Sequence, residues 1–224
     1  MQGNSRPVTS TQAAVHRDLA RLLARHVAHP FRKPVAEYSR TAFAALLAVW
    51  NERQPLVLDA ACGTGESTLL LAGQNPEALV VGVDQSARRL ARGRSLAGAF
   101  RNVILLRADM VDVWLLMAER GMRPAAQYLL YPNPWPKPAQ VMRRWPAHPI
   151  FPTVIGLGGR IECRTNWRIY AEEFAQAVAT LTGAAVGVEK FQPARPLTPF
   201  ERKYGATGHA LYRVAAPAQA RPPC

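Results

Sequence analysis

The chain has few cysteines and no long apolar run. Only three of its 224 residues are cysteines, Cys62, Cys163 and Cys224, and their spacing suits neither a disulfide framework nor a zinc site. No apolar run approaches the ~18–20 residues that a membrane-spanning helix needs, and the first twelve residues lack the apolar core of a signal peptide. We therefore expect a cytoplasmic protein that holds no structural metal.

Acidic residues are scarce beside basic ones, 15 against 28, which gives a formal net charge of +13. Arginine supplies 24 of the basic residues and lysine only four. A genomic preference for arginine codons explains why arginine replaces lysine, but not why basic residues outnumber acidic ones. Because basic groups near phosphates release counterions on binding, the charge favours a nucleic acid as partner.

Two helices are predicted before residue 50. In residues 13–28 the apolar positions recur at helical spacing; they are Val15, Leu19, Leu22, Leu23 and Val27. Arg17, Arg21 and Arg25 recur every four residues on one face, which suits either a solvated face or a face turned towards RNA. Two prolines then interrupt the pattern, and residues 35–50 form the second helix.

From residue 55 onwards, short apolar strands alternate with helices. The first five strands begin near residues 55, 78, 102, 125 and 158, and four of them are followed by a helical pattern. This alternation predicts an α/β fold with a doubly wound, mostly parallel sheet of seven strands. The last two strands, at 186–191 and 209–215, could pair antiparallel at one edge, and the tail 217–224 is predicted to be disordered.

Polar residues stand at the ends of the first four predicted strands; they are Asp59, Asp84, Asp109 and Asn133. In an open parallel sheet, ligands bind beyond the carboxyl ends of the strands. These four side chains should therefore belong to one site.

The turn after the first strand, D-x-x-C-G-x-G, contains Gly63 and Gly65, which let the backbone approach a ligand closely. Asp84 follows Gly63 by 21 residues and can accept hydrogen bonds from both hydroxyls of a ribose. The turn lacks the full G-x-G-x-x-G spacing, and Glu66 would repel a pyrophosphate at the helix N-terminus. S-adenosylmethionine, which has a ribose and no phosphate, fits better. Asp109 then either accepts from the adenine amino group or caps the next helix.

With these motifs the chain resembles class I methyltransferases, and more closely the bacterial tRNA (guanine-N7)-methyltransferase family (TrmB type). The similarity covers roughly residues 35–216, and its stretches are LDAACGTGES, VGVDQS, RADM, YPNPWPK followed by RR, RTNWRIYAEEF and PLTPFERKYGATGHALYRV. The resemblance implies a methyltransferase domain at 35–216 behind a basic helical extension at 1–34. It further implies methyl transfer from S-adenosylmethionine to N7 of a variable-loop guanine in tRNA, by a monomer or homodimer.

The resemblance also implies roles for individual residues. The positions that match the cofactor-binding acids are Asp59, Asp84 and Asp109, and Asn133 stands at the same end of the sheet. Asn133 and Arg143 match positions needed for the reaction. The positions that match substrate-binding residues are Lys137, Asn166, Thr198, Phe200 and Glu201. Phosphate contacts are expected from Lys137, Arg143 and Arg144.

Two amides depart from the family pattern. The family turn reads P-D-P-W where this chain has Asn133, and T-D-W where it has Asn166. Guanine N7 carries a lone pair, so no proton has to be removed and alignment is the main requirement. A carboxylate would also stabilise the positive charge that develops on the guanine, and an amide keeps only the carbonyl acceptor.

These departures leave two alternatives open. Asn133-Pro134-Trp135 is similar to the Asn-Pro-Pro-aromatic motif of amino-methyltransferases but is one residue short of it, which suggests an amino group of a nucleobase or a small molecule as acceptor. The other alternative is a protein that binds the cofactor and RNA without turnover.

Overall fold

The computed structural model describes residues 5–218, apart from the side chain of Leu96. The helices are α1 Leu19–Ala28, α2 Glu37–Val49, α3 Glu66–Gln74, α4 Ala87–Ala97, α5 Met110–Glu119, α6 Phe151–Gly156, α7 Arg168–Thr182 and α8 Pro199–Ala206. The strands are β1 Leu56–Ala60, β2 Leu79–Asp84, β3 Val103–Arg107, β4 Ala126–Leu130, β5 Arg160–Thr165, β6 Glu189–Phe191 and β7 Leu211–Ala216. Most of the tail predicted to be disordered, residues 219–224, lies outside the described residues.

The seven strands form one sheet in the order β3-β2-β1-β4-β5-β7-β6. The first five strands pair in parallel, while β7 runs antiparallel to both β5 and β6. The prediction of a doubly wound, mostly parallel sheet with an antiparallel edge is therefore confirmed. The chain order reverses between β1 and β4, and such a switch point is where open α/β sheets bind ligands.

The apolar strands form the centre of the molecule. Every residue of β1, β2 and β4 is buried, as expected for parallel strands that helices cover on both faces. Trp114 of α5 and Phe174 of α7 are fully buried among the core side chains on one side of this sheet. Within the described part of the chain, none of the helices has the length and apolar character needed to cross a membrane.

The N-terminal helix differs from the prediction in two respects. It begins at Leu19 instead of residue 13, and Val27, predicted on the apolar face, is 56% exposed. The neighbouring His26 is buried instead, and its Nε2 lies 3.2 Å from the carbonyl oxygen of Ala147. A buried histidine with a hydrogen-bond partner at this position cannot be inferred from apolar periodicity.

Four elements that begin at or next to a proline were not predicted from the sequence. They are α6, α8 and two short 3-10 helices, of which the longer, Pro138–Arg143, is called the 3-10 segment below. Each of these elements has a proline in its first turn. Proline is favoured at the start of a helix because its missing N–H would be unpaired there in any case.

Candidate active site

The glycine turn between β1 and α3 is braced by Asp84. Gly63 and Gly65 have φ angles of 62° and 77°, a left-handed conformation that glycine adopts without strain. Asp84 Oδ2 accepts a hydrogen bond of 3.0 Å from the Gly63 amide, and Oδ1 accepts one of 2.7 Å from the Ser86 amide. Arg89 also forms an ion pair with Asp84 at 3.0 Å. The end of β2 therefore fixes the turn at the switch point of the sheet.

Asp59 supports the same turn from beneath. Its side chain is fully buried, and one carboxylate oxygen accepts from the hydroxyls of Ser67 at 2.6 Å and Thr68 at 2.7 Å, both in the first turn of α3. No group of the described residues donates a hydrogen bond to the other oxygen, Oδ1. Burial raises the pKa of Asp59 to about 6, with nearby Asp84 adding to the rise and the two hydroxyls opposing it. Asp59 is thus placed to position the cofactor turn.

The raised pKa of Asp59 predicts a specific pH dependence of stability. A folded-state pKa near 6, above the ordinary 3.8, favours folding below about pH 4, and this contribution is lost as the pH rises through 6. Asp59→Asn keeps the acceptor for the two hydroxyls and removes the titration. We expect the free energy of unfolding of the variant, relative to the parent, to increase by about 3 kcal/mol between pH 3 and pH 7.5. Urea unfolding across this range measures it, and a difference that does not vary with pH contradicts the assignment.

Gly93 of α4 lets that helix approach the glycine turn closely. A Cβ atom at Gly93 would lie 2.1 Å from the carbonyl oxygen of Thr64, so no larger residue fits without moving backbone. Gly93 is not among the residues predicted from the sequence, because a glycine inside a helical pattern gives no sign of what it packs against.

We expect Gly93→Ala to weaken binding of S-adenosylhomocysteine, the demethylated form of the predicted cofactor, by about tenfold or more, because the displaced turn loses its geometry. Gly73→Ala in α3 is the matched control, since a Cβ there meets no atom within 4 Å. The control should bind normally and gain about 0.5–1 kcal/mol of stability from the better helix former. Calorimetric titration of both variants tests this, and equal affinities would show that the close approach is unimportant.

Asp109 caps α5 and is held by a lysine from outside the predicted methyltransferase domain. Its Oδ1 accepts from the amide of Val111 at 2.9 Å, so the capping role considered from the sequence is confirmed. Its Oδ2 lies 3.0 Å from Lys33 Nζ, which also pairs with Asp112 at 2.7 Å. The carboxylate of Asp109 is 23% exposed, so an adenine contact stays a prediction alongside the cap.

The proline-rich turn after β4 is held by contacts from elsewhere in the chain. Tyr131 and Trp135 have φ angles of 52° and 45°, which are unfavourable for residues other than glycine. Prolines at alternate positions remove the amides that could bond the turn to itself. Instead, Arg144 Nε donates to the carbonyl of Trp135 at 3.1 Å, and the Ser10 hydroxyl donates to the carbonyl of Pro136 at 2.5 Å.

Arg144 is buried, so the expectation that it contacts phosphate was wrong. Its guanidinium is fully buried, and Nη1 forms an ion pair of 2.6 Å with the buried Glu173 of α7. Glu173 Oε1 also accepts from the Gln12 side chain at 2.7 Å and from the His16 amide at 3.2 Å. The consecutive arginines in the sequence do not show which of them turns inward; that depends on where α7 places Glu173.

The other residues predicted around this turn face outwards. Asn133, Lys137 and Arg143 are exposed. The Arg143 guanidinium lies over the Trp135 ring, 4.7 Å from its centroid. Trp135 therefore packs under Arg143, and three polar side chains remain available to an acceptor at the end of β4.

The predicted substrate segment around α8 is anchored from inside. Thr198 caps α8 by accepting from the Glu201 amide at 3.0 Å. Glu201 is 1% exposed, and its two oxygens accept from Arg164 Nη1 at 2.9 Å and from the Leu197 amide at 2.7 Å. Glu201 would have to leave both partners to meet a guanine edge, so in this conformation it is a structural anchor. A substrate contact by Thr198 or Glu201 stays a prediction.

An aromatic cluster, consisting of Tyr131, Phe200, Tyr204 and His209, lies between the turn and α8. Phe200 is 51% exposed and its ring centroid lies 6.4 Å from that of Tyr131. Tyr204 stacks on His209 at 5.1 Å, and His209 Nδ1 lies 3.2 Å from the Asn166 amide nitrogen. The cluster thus brings Asn166 and Phe200 to the same side of the site, and exposed aromatic faces suit the stacking of a base.

Glu66 joins the glycine turn to α8 across the site. It forms a bidentate ion pair with Arg202, in which Arg202 Nη2 lies 2.9 Å from Glu66 Oε2. From the sequence, Glu66 was expected only to repel phosphate; its ion pair with Arg202 was not predicted. Among the described residues there is no group of three or more histidine, cysteine, aspartate or glutamate side chains that could hold a metal ion.

Comparisons of the sequence with known proteins give one consistent family. A family model described as "Putative methyltransferase" matches residues 53–214. The tRNA (guanine-N(7)-)-methyltransferase of Nocardioides sp. is 30% identical over 175 residues, which cover 76% of this chain and 70% of that protein. The protein of the same name from Treponema pallidum (strain Nichols) is 28% identical over 167 residues. That alignment covers 71% of this chain and 66%, just under two thirds, of the Treponema protein.

Solved structures share the fold at low sequence identity. The cosubstrate-bound 16S rRNA (adenine(1408)-N(1))-methyltransferase from Catenulisporales acidiphilia has a TM-score of 0.56 at 16% identity, with 81% of this chain and 93% of that one covered. The 16S rRNA methyltransferase KamB has a TM-score of 0.54 at 19% identity, with 84% and 97% covered. At such identities the similarity establishes the class I methyltransferase fold alone.

Proposed function

This chain belongs to the methyltransferase family whose model matches residues 53–214, and from that premise we propose that it methylates N7 of a guanine in tRNA. The methyl donor is S-adenosylmethionine, and the acceptor is a variable-loop guanine. The protein acts in the cytoplasm, as a monomer or homodimer. The relatives named tRNA (guanine-N(7)-)-methyltransferase support this acceptor, and they cover most of this chain.

The observation that carries the proposal is the turn at the end of β4. Its strained backbone is clamped by Arg144 and Ser10, while Asn133, Lys137 and Arg143 stay exposed. Strained residues persist only where surrounding structure enforces them, and they cluster at functional sites. This turn lies at the switch point of the sheet, beside the glycine turn.

The residues at the switch point fit S-adenosylmethionine. The left-handed Gly63 has open space where a Cβ would lie, so the glycine turn leaves room for a ligand. Gly63, Gly65 and Asp84 would hold the ribose and amino-acid portion, and Asp109 would meet the adenine. The cofactor supplies an electrophilic methyl group bound to a sulfonium.

The protein's part in the reaction is alignment. Guanine N7 attacks through its lone pair, so no side chain has to act as a base. Asn133 would accept from the guanine edge, and Phe200 offers a face for stacking. Lys137 and Arg143 would hold the flanking phosphates as charged donors. Holding the two reactants in line contributes several kcal/mol, up to ~7–11 in ideal cases.

Nucleoside analysis of tRNA tests the proposal directly. An unmodified tRNA transcript is incubated with the protein and S-adenosylmethionine, digested, and analysed by mass spectrometry. We expect 7-methylguanosine, and we expect it to disappear when the variable-loop guanines are replaced by adenines. If no 7-methylguanosine forms at high enzyme concentration, guanine N7 is not the acceptor.

The exposed amide of Asn133 favours one second candidate. An amide carbonyl can accept from an amino group, as in amino-methyltransferases, and Asn133 precedes Pro134 and Trp135. The same digest would then contain N-methylated adenosine or guanosine. Binding of tRNA and cofactor without any methylated product would instead indicate a protein without turnover.

A further inference from the structure

A basic groove runs from α1 to the active-site turn. It encloses about 740 Å³ between residues 12–25 and the 3-10 segment. Arg17, Arg21 and Arg25 line one wall, and Val141 and Met142 line the other. The groove is thus basic on one side and apolar on the other.

Few acidic side chains neutralise the arginines of the groove. All three are exposed. Among the described residues that line the groove, Asp18 is the one acid, and it pairs with Arg21 at 3.1 Å. Arg25 reaches across the groove, with its Nη2 3.9 Å from Met142 Sδ. The wall of α1 therefore presents excess positive charge to whatever occupies the groove.

The groove leads directly into the proposed active site. Its apolar wall is the 3-10 segment, which begins one residue after Lys137 and ends at Arg143. Arg143 in turn lies over Trp135 of the proline-rich turn. Arg21 and Arg25, four residues apart on α1, are ~6 Å apart along its axis, a spacing of the same order as that of neighbouring phosphates in a strand. Arg17 lies in the turn just before α1.

The contacts that hold this helix also make the groove rigid. Leu19 and Leu23 of α1, which do not line the groove, are fully buried in the core. Gln12 is tied to the buried Arg144 at 3.1 Å and to Glu173. The arginines are therefore held at a fixed distance from the turn, which a solvated helix at a free terminus would not achieve.

We propose that this groove, between α1 and the 3-10 segment, binds the sugar–phosphate backbone of the acceptor tRNA next to the target nucleotide. The arginines contact phosphates, and the apolar wall packs against the sugars. The proposal rests on the proposed function for the identity of the RNA. Of the two uses of the arginine face that the sequence left open, the proposal adopts the face turned towards RNA.

The test is the variant R17Q/R21Q/R25Q in the full chain. It is called the α1 variant because Arg21 and Arg25 lie on α1 and Arg17 lies just before it. Glutamine keeps the side-chain stem and suits a helix, and the three side chains are exposed, so folding should be preserved. The matched control is R53Q/R120Q/R123Q. It removes the same charge from another groove, of about 460 Å³, at the opposite end of the sheet. Dissociation constants for unmodified tRNA are measured between 50 and 200 mM salt.

We expect the α1 variant to bind tRNA about tenfold or more weakly at 100 mM salt. The slope of log affinity against log salt should fall by about 2, since each lost phosphate contact removes ~0.7–0.9. The control should stay within about twofold. In methylation assays the KM for tRNA should rise with kcat nearly unchanged, because the groove holds substrate away from the reacting atoms.

The outcomes separate this proposal from the proposed function. If tRNA affinity falls equally in both variants, the effect comes from net charge alone, and the proposal that the groove binds tRNA is overturned. If polyglutamate competes for the groove as strongly as tRNA of matched charge, the groove is a site for acidic peptides, and the proposal is overturned as well. Because affinity is measured without methyl transfer, loss of tRNA binding by the α1 variant supports the groove even if no 7-methylguanosine forms.

Discussion

Arg144→Met is expected to lower the free energy of unfolding by about 3–5 kcal/mol, because it leaves Glu173 buried without its partner. Both side chains of this pair are fully buried and their charged atoms lie 2.6 Å apart. The variant also removes the donor to the carbonyl of Trp135. We therefore expect methyl transfer to fall together with stability, since the strained turn loses its clamp. Urea unfolding and a methylation assay below the unfolding range measure the two effects.

Arg143→Met is the control one position earlier. Arg143 is exposed, so its loss should change stability by less than about 0.5 kcal/mol while lowering methyl transfer. The double variant Arg144→Met, Glu173→Met should recover part of the lost stability, because no unpaired charge stays buried. A stability loss below about 1 kcal/mol for Arg144→Met would show that the ion pair is not what holds the turn.

Asn133→Asp is expected to raise kcat for guanine-N7 methylation by about tenfold. Methyl transfer moves a positive charge from the sulfonium to the guanine, and a carboxylate at Asn133 would stand nearer to the guanine. A charge pair ~5 Å apart at an effective dielectric of 20 interacts by about 3 kcal/mol. Only the share of this interaction energy that is gained between the ground state and the transition state speeds the reaction. A share of ~1.4 kcal/mol corresponds to a tenfold higher rate. Single-turnover rates with saturating tRNA measure the gain.

Two other amides serve as comparisons for this substitution. Asn51→Asp makes the same change in net charge in the loop between α2 and β1 and should leave kcat unchanged. Asn166→Asp should give a smaller gain than Asn133→Asp, because the amide of Asn166 already contacts His209 while Asn133 is exposed. If Asn133→Asp and Asn133→Ala have equal rates, charge at this position is irrelevant and alignment alone carries the reaction.

The sequence predicted the parts of the site that depend on local chemistry. Gly63 and Gly65 were expected to form a turn that a ligand can approach closely, and both have left-handed torsions. Asp84 was expected beside them because parallel strands end at one edge of a sheet, and it accepts from the Gly63 amide. Asp109 was considered either as a helix cap or as an adenine ligand, and the structure shows the cap. These features follow from short segments whose geometry is nearly independent of the rest of the chain.

The residues that were not predicted from the sequence lie far along the chain from the residues that they contact. Glu173 lies 29 residues from Arg144, and Lys33 lies 76 residues from Asp109. Glu201 looked available to a substrate because its partner Arg164 lies 37 residues away on β5. Contacts between residues so far apart produce no periodic pattern, so a single sequence does not predict them.

The sequence by itself therefore determined the succession of the seven strands along the chain, the sheet with its antiparallel edge, and the polar residues at the strand ends. It did so because apolar periodicity and glycine turns are local properties of the chain. Only the tertiary structure decided which arginine of Arg143 and Arg144 turns inward and which stays exposed. The physical reason is that burial of a charge depends on a partner, and Glu173 reaches Arg144 only once α7 has packed against the sheet.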